Sequence, residues 1–308
     1  MMKTYYRNVK DEALGETTEF RPGSWIRAEE PSADSIRQLA ETFGLDEGHL
    51  RDALDPLEVP RYEVEPGAVY LYTRIPVRDG EAFATVPWLL VYHDEAVITI
   101  ASRALPPVDQ WAAKTATAIT TQKAKLLLQL LNIVNQTYAQ HLNAIARAIR
   151  ALGPKLLERD VQNRDVLHLV GHEGVLQDFL TSLQHSQVVL NQLLHGRHIQ
   201  FHEEDKDLIE DLVLNTGQMV ELCRSGLKTI VSLREASSTI LTNNLNRVIR
   251  LLTSLTVILM IPNLITGLYG MNVQLPLAQS SAAFAGILAL ITALTGLFFW
   301  IFQKNRWL

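Results

Sequence analysis

From Leu251 to Gln303 the chain carries no Asp, Glu, Lys or Arg, although charges are scattered through everything before it and resume at Lys304 and Arg306. A soluble domain rarely tolerates so long an uncharged run. Two apolar segments fill it, Leu251 to Gly270 and Ala282 to Phe302. Each is about twenty residues, enough at about 1.5 Å per residue to cross a hydrocarbon core of about 30 Å. The connection from Met271 to Ser281 is neutral, polar and contains Pro276. Two spans so closely joined form a hairpin, with both ends on one side. Arg247 and Arg250 precede the first span, Lys304 and Arg306 follow the second, and the connection has no basic residue. The positive-inside rule therefore expects the N-terminal part and the C-terminus in the cytoplasm and the connection outside. Trp300 and Trp307 suit the inner interface. The expectation is a multi-pass protein of the cell (inner) membrane. Its spans cover 251–272 and 282–303, its external loop 273–281 and its basic cytoplasmic tail 304–308. The first residues, Met1-Met2-Lys3-Thr4-Tyr5-Tyr6-Arg7, have no apolar core and do not read as a signal peptide.

Composition narrows the function classes. The 28 basic and 33 acidic residues leave a net charge of −5, which argues against a nucleic-acid partner. The single cysteine, Cys223, rules out a disulfide framework within the chain and a multi-thiolate zinc site. No nucleophile with a partnered base, no phosphate-binding loop and no His-Glu-x-x-His pattern is present, so an enzyme is not expected.

The first hundred residues mix strand and helix signals. Thr4–Val9, Ala68–Val77, Val86–Tyr92 and Glu95–Ala101 are strand-like. Ser32 is a plausible N-cap for a helix through Phe43 that Gly44 would end, and a second short helix is expected over Asp46–Leu54. Residues 1–105 thus read as a small α/β domain. From Pro107 the pattern turns helical over Val108–Leu152, with Gly153-Pro154 as a stop, and again over Lys155–Leu194, ending near Gly196. These make helical arms over 106–202. From Glu203 no proline occurs until Pro262, so a stalk helix (203–250) is expected to continue into the first span, about 100 Å in all. Such a helix needs neighbours for its apolar side, and other copies of itself are the obvious source.

Every seventh residue from Asp211 gives Gln218, Ser225, Ser232, Thr239, Asn246, Thr253, Met260 and Gly267. The adjacent row is Glu221, Lys228, Glu235, Thr242, Ile249, Thr256, Asn263 and Gly270. Offsets of three and four place both rows on one face. A sustained heptad period implies parallel helices around an axis, and this face turned inward would line a wet pathway. Thr253, Thr256 and Asn263 would stand in hydrocarbon unless they face protein or water. The competing account is a solvated surface helix whose hydroxyls, inside the bilayer, bond to their own backbone.

The first span ends Tyr269-Gly270-Met271-Asn272. Two C-terminal spans with this segment closing the first resemble the CorA family of divalent cation channels. Trp25-Ile26, Pro31, Asp52-Ala53-Leu54-Asp55-Pro56 and the basic end at Trp307-Leu308 are similar too, so the resemblance covers essentially the whole chain. It implies a homopentamer in which each subunit gives one long helix to a central pore below an α/β cytoplasmic funnel. It also implies that Gly270, Met271 and Asn272 ring the outer mouth as a selectivity filter. An asparagine ring suits Mg²⁺, which dehydrates reluctantly: carboxamides accept hydrogen bonds from its waters without stripping them. A carboxylate ring would hold the ion harder and slow its release. Gly270 permits close backbone approach, and Met271 is expected to pack, since a thioether is a soft ligand for a hard ion. Asn246, Ile249, Thr253, Thr256, Met260, Asn263 and Gly267 are the expected pore lining, with Leu252 a rival to Thr253. Ile249 and Met260 are candidate apolar constrictions that gate by dewetting. Two departures bear on rate and ion choice: the loop lacks the acid many members carry, and the C-terminal basic run is reduced to Lys304 and Arg306.

Two weaker groups remain. Asp207, Glu210 and Asp211, with Glu221 and Glu235, are candidates for a regulatory metal between subunits, against a solvated acidic helix start. His195, His198 and His202 cluster near a helix end, and imidazole suits zinc, nickel and cobalt better than Mg²⁺. The functional expectations are a Mg²⁺ channel, also passing Co²⁺ or Ni²⁺; a Zn²⁺ transporter, coupled or not to protons; and a membrane-anchored cation sensor without transport.

Overall fold

The computed structural model describes residues 2–11, 13–80, 82–115, 118–156, 163–273, 282–305 and 307. The external loop expected at 273–281 lies outside these residues except for Val273, and so does Arg306. The chain divides into two compact units, one running through the first helices to Ser232 and one from Leu233 onward.

The first unit is built on a seven-stranded sheet. Its strands are β1 (Met2–Tyr6), β2 (Gly15–Thr17), β3 (Ser24–Glu29), β4 (Arg61–Glu65), β5 (Ala68–Asp79), β6 (Ala82–His93) and β7 (Ala96–Ala101), in the order β2-β1-β3-β7-β6-β5-β4. β3 and β7 pair in parallel, and every other pair is antiparallel. All six residues of β7 are buried, as expected of a central strand covered on both faces. On one face lie α1 (Ala33–Phe43) and α2 (Glu47–Asp52), whose Ile36, Leu39, Phe43 and Leu50 meet Ile26, Tyr70, Leu89 and Ile98 of the sheet. α1 starts and stops where its sequence says. Ser32 accepts a hydrogen bond from the Ser35 amide, and Gly44 closes the helix at φ 61°, a conformation that favours glycine.

The other face carries α3 (Pro106–Lys114), α4 (Lys123–Leu156) and α5 (Asn163–His195). Trp25 sits here, fully buried, donating from Nε1 to Thr99 Oγ1 at 3.1 Å and meeting Trp111 of α3 edge-on. Beside it Arg27, also buried, holds Asp109 of α3 at 2.6 Å and pairs with Glu29.

Three strands were not expected from the sequence. β3 has no clean alternation because both its faces are covered, one by Ile26 and Ala28, the other by Trp25 and Arg27. β4, Arg-Tyr-Glu-Val-Glu, is a charged edge strand, and such charges blunt an edge against further pairing. β2 is only three residues long. The helix expected over Val108–Leu152 is two helices. Ile119, Thr120 and Thr121 are β-branched and add little to a helix, and Thr120 ties to Arg7 instead, donating its amide to the Arg7 carbonyl at 3.0 Å. Gly153-Pro154 does not stop α4, which reaches Leu156.

Arg61 pins the β4 edge. It holds Asp52 of α2 at 2.7 Å, pairs with Glu58 and Glu63, and its guanidinium lies 3.8 Å from the centre of the Tyr72 ring. Replacing Arg61 by Met keeps the stem but leaves the mostly buried Glu58 without its partner. This should lower stability by about 2 kcal/mol, seen as a lower Tm of the full chain in detergent.

Candidate functional site

The helix α6 runs unbroken from Glu203 to Tyr269, through Pro262. Within the first unit its inner side is mostly apolar: Ile209, Leu212, Met219, Val220, Cys223 and Ile230 are buried on one face, with Thr216 among them. Asn135 of α4 is locked against this side. Its Nδ2 donates to the Leu212 carbonyl at 3.1 Å, and its Oδ1 accepts from Thr216 Oγ1 at 3.2 Å. Gly226 allows a close approach, since a Cβ there would stand 2.9 Å from Leu176 Cδ1 of α5. Burial pushes the Cys223 thiol up to about 12. It therefore stays protonated at neutral pH and should react with a maleimide at least about 100-fold more slowly than a free cysteine. Adding denaturant should restore ordinary labelling; fast labelling of the folded chain would contradict this packing.

The two polar rows occupy the opposite side. In the single chain Asp211, Gln218, Ser225 and Ser232 are exposed, as are Glu221 and Lys228. In the second unit the shaded stripe of α6 comprises Ser254, Val257, Ile258, Ile261, Pro262 and Ile265. The helix α7 (Ala283–Lys304) has a less exposed stripe of its own at Ile287, Ile291, Leu294, Thr295, Phe298 and Ile301. The rows avoid this stripe. Glu235, Thr239, Thr242, Asn246, Ile249, Thr253, Thr256, Met260, Asn263 and Gly267 are all exposed, and so are Gly270, Met271 and Asn272 at the helix end. Leu252 is exposed as well, so one chain does not decide between it and Thr253.

Two helices are long and apolar enough to span a bilayer, and the most apolar windows of the two are only 6% and 0% buried. They are therefore not core helices of a soluble domain; their apolar surface needs lipid or protein around it. Lys304 lies 4.9 Å from the centre of the Trp300 ring, and Trp307 stacks on Phe302, a cationic and aromatic cluster of the kind found at membrane interfaces.

Hydrogen bonding separates the polar residues of the first span. Thr253 Oγ1 donates to the Ile249 carbonyl and Thr256 Oγ1 to the Leu252 carbonyl, each at 2.8 Å. Their hydroxyls are satisfied by the helix itself, as the competing account supposed. The carboxamides of Asn263 and Asn272 make no hydrogen bond among the described residues. Sequence reasoning overlooked two further polar residues of the apolar helices. Ser254 is fully buried, and Thr295 Oγ1 is enclosed with no partner among the described residues. The available signal was a small polar residue recurring within each apolar segment, a common helix-packing device in lipid.

The weaker groups are not assembled within one chain. His195, His198 and His202 are all exposed; His195 donates from Nδ1 to the Asn191 carbonyl at 2.8 Å. Asp207, Glu210 and Asp211 are exposed on α6, and Glu221 is taken by Arg224 at 2.6 Å. Among the described residues no three His, Cys, Asp or Glu converge on a point where a metal ion could sit.

Comparisons with known proteins agree with this layout. The family described as CorA-like Mg²⁺ transporter protein matches residues 23–304. The cobalt/magnesium transport protein CorA of Methanocaldococcus jannaschii is 25% identical over 298 residues, which is 92% of this chain and 91% of the relative. The complete structure of the CorA magnesium transporter from that organism superposes with a TM-score of 0.89 at 22% identity, covering 100% of this chain and 99% of the other. The full-length CmaX protein superposes at 0.78 with 19% identity, over 99% and 97% of the two chains. The α/β N-terminal domain, the long helix and the two apolar C-terminal helices are the shared fold. The chain belongs to the CorA family of divalent cation transporters.

Proposed function

We propose that this chain assembles as a homopentamer in the cell (inner) membrane, with both termini cytoplasmic, and conducts Mg²⁺ inward, with Co²⁺ and Ni²⁺ as further ions. The observation that carries this reading is the exposed, mostly polar face of α6, whose two rows run from Asp211 to Gly270, with Asn272 exposed two residues further on. A single chain leaves that face uncovered, including an unpaired Asn263 carboxamide within an apolar span. Copies arranged about an axis would place the face around water, where an unpaired amide costs little. The pathway then runs past Asn246, Ile249, Thr253 or Leu252, Thr256, Met260, Asn263 and Gly267 to the ring of Gly270, Met271 and Asn272.

At the mouth, carboxamide oxygens accept hydrogen bonds from the waters of a hydrated ion. Mg²⁺ holds its waters tightly and passes as a hydrate; an ion that sheds water readily gains less from such a ring. Asp207, Glu210, Asp211, Glu221 and Glu235 are proposed to meet their counterparts across subunits and to bind a regulatory cation there.

The test is ion flux into liposomes holding the purified protein, with Mg²⁺, Co²⁺, Ni²⁺ and Zn²⁺ compared with and without a pH gradient, and the oligomer mass measured on the same sample. Mg²⁺ flux that needs no proton gradient, from a pentamer, is expected. Proton-dependent Zn²⁺ flux alone would favour a zinc transporter, and no flux of any cation would favour a sensor.

A further inference from the structure

A cavity of about 620 Å³ opens where α3, α4 and the end of β5 meet, all within the first unit. Its charged lining is Arg78, Arg103 and Lys114, and His141 adds an imidazole; none of the described lining residues is acidic. This is unusual in a chain of net charge −5 whose cargo is a cation. Another cavity of similar size, near 700 Å³, shows the contrast: Glu203, Glu204 and Asp205 line it together with Lys123 and Lys125. A pocket whose described charged lining is all basic repels a metal ion and attracts an anion.

The remaining walls are not those of a simple anion trap. Trp111 lines the cavity with Pro76, Pro106, Pro107 and Ile133, while Gln110, Gln136 and Gln140 bring carboxamides. An aromatic face with side-chain amides suits a planar heterocycle, whose ring stacks and whose edge offers donors and acceptors. The wall is also held in place. Asp109 of α3 is fixed by the buried Arg27, and the Leu105 amide donates to Glu29 at 2.9 Å. His141 Nδ1 donates to the Thr137 carbonyl at 2.7 Å, and its ring meets Phe83 edge-on at 4.5 Å. The volume falls within the range of small-ligand sites.

We infer that this cavity binds a nucleoside di- or triphosphate, with the phosphates between Arg78, Arg103 and Lys114 and the base beside Trp111. Such phosphates are themselves ligands for Mg²⁺. The inference does not depend on transport, because it is read by binding.

The experiment is equilibrium dialysis of ADP against the full chain in detergent, with a chelator present. Tripolyphosphate and glycerol phosphate serve as comparison ligands: the first has the charge without a base, the second is the soluble part of a lipid headgroup. Saturable ADP binding is expected at one site per chain, with both comparison ligands at least about tenfold weaker. Arg78→Glu and Lys114→Glu, two exposed positions, should each weaken ADP about tenfold or more without lowering the Tm. Absence of saturable ADP binding overturns the inference. So does unchanged affinity in both variants, or binding of tripolyphosphate or glycerol phosphate as tight as that of ADP.

Discussion

Asn272→Ala is expected to reduce Mg²⁺ flux by about 100-fold or more while leaving the assembly and its Tm unchanged. The reasoning starts from the exposure of Asn272, three residues beyond the end of α6, where its side chain is packed against none of the described residues. Its removal therefore costs the fold little. In a ring of subunits each copy would offer one carboxamide to the same ion's waters. A single such hydrogen bond is worth about 0.5–1.5 kcal/mol net, and several lost together amount to a few kcal/mol at the entry step. Asn272→Asp separates geometry from charge. It keeps the acceptors but adds a negative ring, so ions should bind more tightly and leave more slowly, giving saturation at lower Mg²⁺ with a lower maximal rate. Wild-type flux through an intact Asn272→Ala assembly would remove this residue from the pathway.

Much of this arrangement could be read from the residues, because the signals involved are local or collective. Ser32 and Gly44 bound α1 by capping chemistry, which needs only a few neighbouring residues. The two spans follow from uncharged length. The polar rows along α6 follow from a heptad period, and every member is exposed in the single chain.

What was not legible depends on residues far apart in sequence. β3 is buried on both faces by helices from α1 to α3, so its own pattern looked irregular. β4 was hidden because Arg61 and Glu63 make it look like a loop, although Tyr62 and Val64 alternate with them. Arg61 makes sense there only when Asp52, Glu58 and Tyr72 are seen around it. The break between α3 and α4 is hard to read because scattered threonines are only weakly unfavourable to a helix; the bond from Thr120 to Arg7, more than a hundred residues away in the chain, decides it. For the site, the sequence could not distinguish Thr253 and Thr256 from Asn263. The hydrogen bonds do: both threonines are satisfied by their own helix, and the asparagine is not.

That difference makes Asn263→Leu the sharpest test of which way α6 faces. If the residue faces lipid, replacing a carboxamide by a leucine of similar size relieves the cost of holding a polar group in hydrocarbon, about 1–3 kcal/mol by the scale of buried polar groups in proteins. The Tm would then rise and flux would persist. If it faces a shared axis, one leucine per subunit forms an apolar collar in a narrow wet passage, one turn beyond Met260, which is also exposed on this face. Such a collar expels water, and a hydrated Mg²⁺ cannot cross it without shedding waters it holds strongly. Flux should then fall at least about tenfold with the assembly intact. Asn263→Ser, smaller and still polar, should retain most of it. The axial orientation thus predicts loss with leucine and retention with serine, and the lipid-facing orientation predicts retention with both. Loss with leucine and retention with serine is the pattern expected of a pathway that runs past Asn263.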